Sequence, residues 1–362
     1  MAARTLPKNT VQTAQSSVYG VQLRRFGLYA TVTMFTILIL MLFLTPFAYS
    51  VVTSVKDKQQ ITDSAFGTIL PVDRVKFEYE GNLYDVYNVP MPDGSVRELA
   101  LVQPGRQSSA FIDPDNPGER ITWEGSWRTL RAVEEFAPRW GNFAEAWQQV
   151  NFPQLARNTI AIAAFGVVGT LLSSISVAYA FARFPLPGKK ILFLILIGTI
   201  ILPTQVTLIP TYMFFSSLGW VGTWLPLIVP HFFANAYNVF LMRQYFLTLP
   251  RELDEAAMID GAGPLRILLS VIIPQSWPVI VAVALFHTVF AWNDYFSPLI
   301  YLLGQPELQP ISVGIQVFNF RYSQQPHLIQ ATALMGLALP VLIFFFSQKV
   351  FMRGVVVTGV DK

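Results

Sequence analysis

The feature that most constrains this sequence is a set of apolar runs, each long enough to cross a lipid bilayer as a helix. About 20 consecutive apolar residues are needed to cross the hydrocarbon core. The composition agrees, since 53% of the residues are hydrophobic and only 13% are charged, which lies outside the averages for soluble domains. The sequence therefore predicts an all-α polytopic membrane protein with six transmembrane helices. The predicted spans are residues 27–55, 158–182, 190–215, 224–246, 276–303 and 328–352.

The placement of Lys and Arg predicts the orientation of these spans. Residues 56–157 contain 11 basic and 15 acidic residues, whereas the rest of the chain contains 14 basic and 7 acidic ones. Of those 14 basic residues, 13 lie on one side of the predicted membrane, and cytoplasmic loops are the ones that carry excess Lys and Arg. We therefore predict that both termini are cytoplasmic, with a cytoplasmic tail over residues 1–26. A basic excess of this kind reflects membrane topology and does not indicate nucleic-acid binding.

Residues 56–139 predict a β-rich extracytoplasmic insertion between the first and second spans. Apolar and polar residues alternate in three runs that turn sequences separate. The runs are residues 75–80, 82–89 and 96–102, and the turns are Glu80-Gly-Asn82 and Pro92-Asp-Gly94. Residues 113–118, which contain Asp, Pro, Asn and Gly, predict a loop. Residues 140–157 predict an amphipathic helix at the outer surface, with Phe143 and Trp147 on one face.

No arrangement of catalytic residues is apparent in the sequence. The chain has no cysteine, which excludes disulfides, thiolate metal sites and cysteine catalysis. It also lacks the glycine-rich phosphate loop that ends in Lys-Ser or Lys-Thr. Active transport would therefore draw its energy from another polypeptide or from an ion gradient. His231, His287 and His327 lack the spacing of a metal site, so we expect packed or interfacial histidines, no metal and no cofactor.

Polar residues within the spans are candidates for a translocation path. Several accompany prolines in the third and fourth spans, and broken helices are tolerated in membranes where the backbone lines a cavity or is covered by protein. Helix-to-helix hydrogen bonding explains any single residue better, whereas the group predicts a partly wet interior. Asp294, the only acidic residue well inside a span, is equally consistent with a functional role and with a capping hydrogen bond. The candidates are Thr204, Gln205, Asn235, Asn238, Asn293 and Asp294.

A short polar segment, residues 249–274, interrupts the spans on the predicted cytoplasmic side. A helix is predicted over residues 251–260, with acidic residues in its first turns, where the helix dipole favours them. One face of this helix consists of Leu253, Ala256 and Ala257, which would let the backbone of another protein approach closely. Gly261 is predicted to stop the helix. A solvated helix explains the acidic residues alone, whereas a docking element also explains the alanine face and the glycine.

The 249–274 segment resembles the EAA loop of binding-protein-dependent ABC importer permeases, and its detailed form resembles the MalG-like carbohydrate permeases. Four further stretches support that subfamily, and the match covers the first span and then residues from about 140 onwards. The matching motifs are Glu255-Ala-Ala-Met-Ile-Asp-Gly-Ala262, Val271-Ile-Ile-Pro274, Ala178-Tyr-Ala-Phe-Ala-Arg183, Ile201-Leu-Pro-Thr-Gln-Val-Thr-Leu-Ile-Pro210, Phe240-Leu-Met-Arg-Gln-Tyr-Phe246 and Ala291-Trp-Asn-Asp294.

The resemblance implies a type I ABC importer permease fold with a five-helix core at residues 158–353. In that family the 249–274 loop is a coupling helix seated in a cleft of the ATPase subunit. The glutamate, here Glu255, is expected to pair with a basic residue there, and the glycine permits the turn. The C-terminal tail of MalG-like chains can reach the ATPase interface; residues 354–362 are the matching stretch, but this stretch is shortened and Arg353 stands where a small residue is common, which weakens that expectation. The implied coupling residues are Glu255, Ala256, Ala257, Asp260, Gly261, Ala262 and Pro274.

The resemblance also implies partners and a location. Two ABC ATPase subunits, a second MalF-like permease subunit and an extracytoplasmic sugar-binding protein are expected, in a bacterial or archaeal plasma membrane. The chain is then a non-catalytic permease subunit of a sugar importer. Glycerol phosphate or a polyol is an alternative solute, and a non-transporting assembly protein or an ion-coupled carrier is an alternative class. The insertion over residues 70–130 is longer than the subfamily pattern and is consistent with a contact role or with passive decoration.

Overall fold

The structure is a computed structural model that describes residues 9–62, 68–319 and 324–356. Within these ranges the side chains of residues 9–20, 204–205 and 349–356 lie outside the description. The chain is mostly helical. Its α-helices are α1 (Asn9–Ser54), α2 (Lys58–Thr62), α3 (Gly141–Gln149), α4 (Phe152–Arg183), α5 (Lys189–Gly198), α6 (Thr204–Ser217), α7 (Leu225–Ile228), α8 (Ala236–Thr248), α9 (Glu252–Ile259), α10 (Pro264–Ile267), α11 (Ile273–Gln275), α12 (Trp277–Asn293), α13 (Phe296–Tyr301), α14 (Ile311–Gly314) and α15 (Pro326–Val356).

Four stretches of helix in the described part of the chain are long and apolar enough to cross a membrane. They are Val21–Ser54, Phe152–Arg183, Leu225–Thr248 and Pro326–Gln348. Two further pairs qualify only if each bent pair is one span: Lys189–Ile201 with Val206–Ser217, bent by 100°, and Pro264–Gln275 with Trp277–Asn293, bent by 81°. A proline lies at or next to each bend. Proline has no backbone N–H and interrupts the hydrogen bonding of an α-helix, which explains why the helix bends there. The count is therefore four, or six with the bent pairs.

Two predicted boundaries differ from the structure. The helix expected over residues 140–157 is two helices, since α3 ends at Gln149 and α4 begins at Phe152. Asn151 lies between them with φ of 50°, a left-handed conformation that asparagine tolerates better than most residues. At the N-terminus α1 already begins at Asn9, inside the predicted 1–26 tail. At the other end α15 continues to Val356, and residues 357–362 of the predicted tail lie outside the described residues.

The region between α2 and α3 contains the predicted β structure. Its main sheet is antiparallel and runs in the order β2-β3-β4-β5-β6, with β7 also paired to β3, while β1 pairs with β8. Val89, Leu99 and Phe111 form its fully buried centre. The strands are β1 (Val72–Arg74), β2 (Lys76–Tyr79), β3 (Asn82–Pro90), β4 (Val96–Gln103), β5 (Ser108–Asp113), β6 (Asn116–Glu124), β7 (Arg131–Ala132) and β8 (Glu134–Phe136).

In the main sheet, the sequence predicted β2, β3 and β4 but neither β5 nor the short β7. β5 ends at Asp113 and β6 begins at Asn116, so the predicted loop over residues 113–118 is a tight turn with strand on both sides. The Asp113 side chain accepts a hydrogen bond from the backbone of Asp115 at 2.9 Å, which fixes the turn locally. The predicted hairpin at Glu80-Gly81 is confirmed, with φ of 51° and 78° at these residues.

The sheet region is joined to the helices at one place. The chain leaves α1 and returns before α3 at adjacent points, since the amide of Arg139 donates to the carbonyl of Val55 at 2.8 Å. The Asn142 side chain donates to the carbonyls of Ser54 and Lys56 at 2.8 and 2.9 Å. Arg139 also makes ion pairs with Asp57 at 2.7 Å and with the sheet residue Asp73 at 3.2 Å. Below this junction α3 packs on α15.

The main helical core lies between α4, α8 and the bent α10–α12 pair. Small residues on α4 allow close approach. A Cβ at Gly166 would lie 2.3 Å from the His287 Nε2 atom of α12, and a Cβ at Gly169 would lie 2.6 Å from the Phe232 ring. Ser173 donates to the carbonyl of His231 at 3.0 Å. α4 is therefore the central helix, and its length of 32 residues corresponds to ~48 Å from the sheet end to the α9 end.

Candidate functional site

The predicted helix of the 249–274 segment is confirmed as α9. Its first turn carries Glu252, Asp254 and Glu255, which the helix dipole favours at this position. Gly261 ends the helix with φ of 78°, a conformation that costs other L-residues about 1–2 kcal/mol. The amides of Gly261 and Ala262 donate to the carbonyls of Met258 and Ala257 at 3.0 and 2.9 Å. This is the paired C-terminal hydrogen bonding that a left-handed glycine allows.

The exposed face of α9 differs from the predicted alanine face. Ala257 and Ala262 pack against the main helical core of this chain, so they are not free to receive another protein. Glu255, Ala256, Asp260 and Gly261 are exposed. Of the predicted face, Ala256 is exposed, Leu253 is half-buried and Ala257 packs on the chain's own core.

Large apolar side chains lie beside these exposed residues. Ile259 is 87% exposed, Leu265 is 68% exposed and Met258 is 55% exposed. No hydrogen bond or ion pair of the described residues engages the Glu255 carboxylate. The result is a surface, formed by Glu255, Ala256, Met258, Ile259 and Asp260, that combines unpaired acid with exposed apolar area. Isolated exposed apolar residues are common, but a contiguous group with polar neighbours marks an interaction surface.

The inner side of α9 carries a buried ion pair that sequence reasoning missed. Arg183 Nε lies 2.8 Å from Asp254 Oδ2, and the two side chains are only 7% and 11% exposed. Arg183 also donates from Nη2 to the carbonyl of Leu249 at 3.0 Å. Burial raises the pKa of the Asp254 carboxyl above its ordinary value, while the neighbouring Arg183 and Arg251 act in the opposite direction.

A second contact fixes the far side of the segment. The Tyr179 hydroxyl donates to the carbonyl of Pro264 at 3.2 Å. Tyr179 and Arg183 are four residues apart, so they lie on one face of α4. The available signal in the sequence was the Ala178–Arg183 motif, which supported the family resemblance without assigning these two side chains a role.

Pro274 lies apart from the exposed α9 surface. It occupies α11, directly before the 81° bend between Pro264–Gln275 and Trp277–Asn293. A stretch of π-helix at Leu268–Ile272 precedes it. Proline lacks the backbone donor that a continuous helix needs at this point. Pro274 therefore contributes to the shape of the segment and is exposed.

Two predicted pathway residues line one cavity of about 320 Å³. Asn235 uses its side-chain oxygen to cap α8, accepting from the amides of Tyr237 and Asn238 at 3.0 and 3.3 Å. The side chain of Asn238 makes no hydrogen bond within the described residues. Amides and aromatic rings share this cavity, an arrangement suited to a polar ligand with apolar faces. Its lining is His231, Asn235, Tyr237, Asn238, Phe286, His287 and Phe290.

Asn293 and Asp294 are not part of the lining of this cavity. Asp294 accepts a hydrogen bond from the amide of Ser297 at 3.1 Å, so it caps the start of α13. Asn293 donates to the carbonyl of Val289 on its own helix at 2.8 Å. Thr204 and Gln205 begin α6, and their side chains lie outside the described residues.

The histidines are closer together than their separation in sequence suggested. The rings of His231 and His287 have centroids 4.4 Å apart, and His287 Nδ1 lies 3.1 Å from the Thr170 hydroxyl of α4. Within the described part of the chain no group of three or more His, Cys, Asp or Glu residues is arranged to hold a metal ion. The pair therefore acts as part of the packing between α4, α12 and the cavity.

Comparison with known proteins supplies the family. The sequence model of the family described as "Binding-protein-dependent transport system inner membrane component" matches residues 169–357, which include α9 and the cavity. The chain belongs to this family. Members are inner-membrane permease components, so the transport prediction from the sequence is confirmed.

Individual relatives of this permease agree. It is 30% identical over 242 residues to the osmoprotective compounds uptake permease protein GgtD of Synechocystis, covering 66% of this chain and 79% of the relative. It is 26% identical to the alpha-glucoside transport system permease protein AglG of Rhizobium meliloti, covering 93% and 98%. It is 30% identical to the sn-glycerol-3-phosphate transport system permease protein UgpE of Rhizobium meliloti, covering 63% and 81%.

A solved structure supports the fold of the permease. A chain in the crystal structure of a bacterial ABC transporter involved in the import of the acidic polysaccharide alginate matches with a TM-score of 0.59 and 19% identity. The match covers 96% of this chain and 100% of that chain. The chain therefore shares its overall fold with a chain of that ABC importer.

Proposed function

We propose that this chain is the transmembrane permease subunit of an ATP-driven, binding-protein-dependent sugar importer. The observation that carries the proposal is the exposed surface of α9, where an unpaired Glu255 lies beside Ile259 in a chain of this family. The chain forms half of the pathway together with a second permease subunit. Two ATPase subunits supply the energy, and an extracytoplasmic binding protein delivers the sugar. This chain itself has no catalytic role.

The proposed arrangement in the membrane uses six spans, with each bent helix pair counted as one. Both termini and the 249–274 segment face the cytoplasm of a bacterial or archaeal cell. The β-rich insertion at residues 56–139 lies outside, and residues 158–353 form the permease core. The distribution of Lys and Arg supports this orientation. The length of α4 supports it as well, because the helix separates the sheet from α9.

The coupling residues in this proposal fall into two groups. Glu255, Ala256 and Asp260 belong to the surface that meets the ATPase, and Gly261 allows the turn that ends it. Ala257 and Ala262 seat the helix on the permease core, and Pro274 shapes the bend. Two carboxylates beside exposed apolar side chains suit a basic groove, since a charged partner adds specificity and speeds association.

The cavity lined by Asn235 and Asn238 is the proposed substrate path within this chain. Aromatic rings and amides together suit a sugar, whose ring has an apolar face and many hydroxyls. The lining contains no Lys or Arg among the described residues, whereas phosphate recognition in proteins relies on cationic side chains. This favours a neutral sugar. The likeness to UgpE keeps sn-glycerol 3-phosphate as the second candidate.

Labelling tests the orientation and the docking surface together. Because the chain has no cysteine, Ile259→Cys and Val96→Cys each place a single thiol at a side chain that is 87% or 63% exposed. A membrane-impermeant maleimide should modify Ile259→Cys only from the cytoplasmic face and Val96→Cys only from the outer face. Added ATPase should protect Ile259→Cys and leave Val96→Cys reactive. Equal reactivity with and without the ATPase would reject α9 as the docking surface.

Uptake tests the function directly. In proteoliposomes with the copurified ATPase and binding protein, maltose should accumulate in an ATP-dependent way and sn-glycerol 3-phosphate should not. Uptake of sn-glycerol 3-phosphate without uptake of maltose would mean that the substrate is the phosphate ester and not a sugar. Glu255→Lys and Gly261→Asp should each abolish ATP-coupled uptake while the chain still inserts in the membrane, because the first reverses the proposed docking charge and the second strains the turn. Normal uptake by either variant would contradict the coupling role assigned to that residue.

A further inference from the structure

The end of α4 holds the 249–264 stretch at three points. Arg183 contacts the Asp254 carboxylate and the Leu249 carbonyl, and Tyr179 contacts the Pro264 carbonyl, at 2.8, 3.0 and 3.2 Å. These points lie before, within and after α9. We propose that these contacts, here called the α4 clamp, transmit the movement of α9 to α4 when the ATPase acts. The inference rests on the proposed function and goes beyond it, because it assigns positioning roles to residues that do not touch the ATPase.

The chemistry of the clamp makes it stiff. A guanidinium group is planar and presents several donors, and Arg183 reaches both the Asp254 carboxylate, as an ion pair at 2.8 Å, and the Leu249 carbonyl, as a hydrogen bond at 3.0 Å. The pair is buried, and buried pairs are screened far less than exposed ones. α9 has only eight residues, too few to be stable as an isolated helix. The position of α9 therefore depends on its tertiary contacts, which include those of Arg183 and Tyr179.

The other end of the connection is the cavity. Along α4 from the clamp, Ser173 donates to the His231 carbonyl at 3.0 Å, and Thr170 contacts His287 at 3.1 Å. Both histidines line the cavity of about 320 Å³. Gly166 brings the α4 backbone against His287 as well. A rigid helix thus touches α9 at one end and the proposed substrate path in its middle, which is a continuous physical connection.

The test separates docking of α9 from movement of α4. Leu172→Cys, on α4 and 58% exposed, carries an environment-sensitive fluorophore in the complex that copurifies with its ATPase. Its emission should shift between the nucleotide-free state and the state trapped with ATP and vanadate. Asp254→Asn and Tyr179→Phe should each reduce or abolish that shift. In separate chains that carry the same substitutions and Ile259→Cys as the single cysteine, Ile259→Cys should remain protected by the ATPase.

Each outcome decides the proposal. Loss of the shift with protection retained supports the clamp. A normal shift in both variants overturns it, and so does loss of protection, which would mean that the contacts only position α9. Tyr179→Phe removes a single hydroxyl and keeps the test valid if Asp254→Asn fails to fold. The control is Arg97→Met, whose pairing with Asp93 at 3.9 Å is exposed on the sheet. If the wild-type complex shows neither protection nor shift, the proposed function itself fails.

Discussion

The two ends of this permease are both fastened by arginine–aspartate pairs, but in opposite surroundings. At the α9 end Arg183 and Asp254 are 7% and 11% exposed. At the sheet end Arg139 is 50% exposed, and its partners Asp57 and Asp73 are 19% and 37% exposed. Similar distances therefore carry different energies, because water screens the exposed pairs at the sheet end far more than the buried pair at the α9 end. The same two residue types therefore form a strong ion pair at one end and weaker ones at the other.

The largest effect is expected from removing one member of the buried pair. Arg183→Met leaves the Asp254 carboxylate buried without its partner, and such a change costs about 3–5 kcal/mol. Thermal unfolding of the purified permease in detergent measures the loss. Adding Asp254→Leu should recover most of it, because an apolar pair of similar volume carries no buried charge. Unchanged stability of Arg183→Met would mean that the two ends do not differ in the way proposed.

An intermediate effect is expected from Asn142 at the sheet end. Its amide donates to the carbonyls of Ser54 and Lys56, and Asn142→Ala leaves those acceptors without this donor. A buried polar group that loses its partner costs about 1–3 kcal/mol. Unfolding of the variant should show this loss with little dependence on salt. A loss as large as that of Arg183→Met would mean that the Asn142 side-chain amide, and not the packing around it, holds the sheet region to the helices.

The smallest effect is expected from Arg139→Met. Exposed ion pairs contribute about 0–1 kcal/mol, and part of this contribution is already lost at high ionic strength. Wild-type and variant stabilities should therefore converge when unfolding is repeated in 1 M salt, where the screening length is about 3 Å. A large, salt-independent loss would show that the Arg139 side chain contributes through packing at the junction and not through its carboxylate partners, since the backbone bond to Val55 is kept in the variant.

The elements with strong local signals could be predicted from the sequence. The apolar runs predicted the four long apolar helices, the alternation at 82–89 predicted β3, and the glycine at 261 predicted the end of α9, because each depends on residues close in sequence. The Arg183–Asp254 pair could not be predicted, since it joins residues 71 apart whose charges are individually unremarkable. The same holds for the inward side of α9, where Ala257 meets a core contributed by α4 and α8.

The cavity illustrates the same limit. Asn235 and Asn238 were identified from polarity within a span, but their aromatic neighbours Phe286 and Phe290 come from α12, far along the chain. The sequence left Asp294 between two roles, and the capping contact became visible only in its distance to the Ser297 amide. Residue type identifies a candidate; its partners, which tertiary packing supplies, decide its role.

The hydrogen bond between Val55 and Arg139 has a consequence for how such a chain can evolve. The polypeptide leaves the helices and comes back to them at neighbouring backbone atoms, so the stretch between is a cassette with its two ends side by side. A cassette of this kind can be lengthened, shortened or exchanged for another without moving the helices on either side. Within one permease architecture, the sheet region is thus free to diversify while the helices to which it is attached keep their geometry.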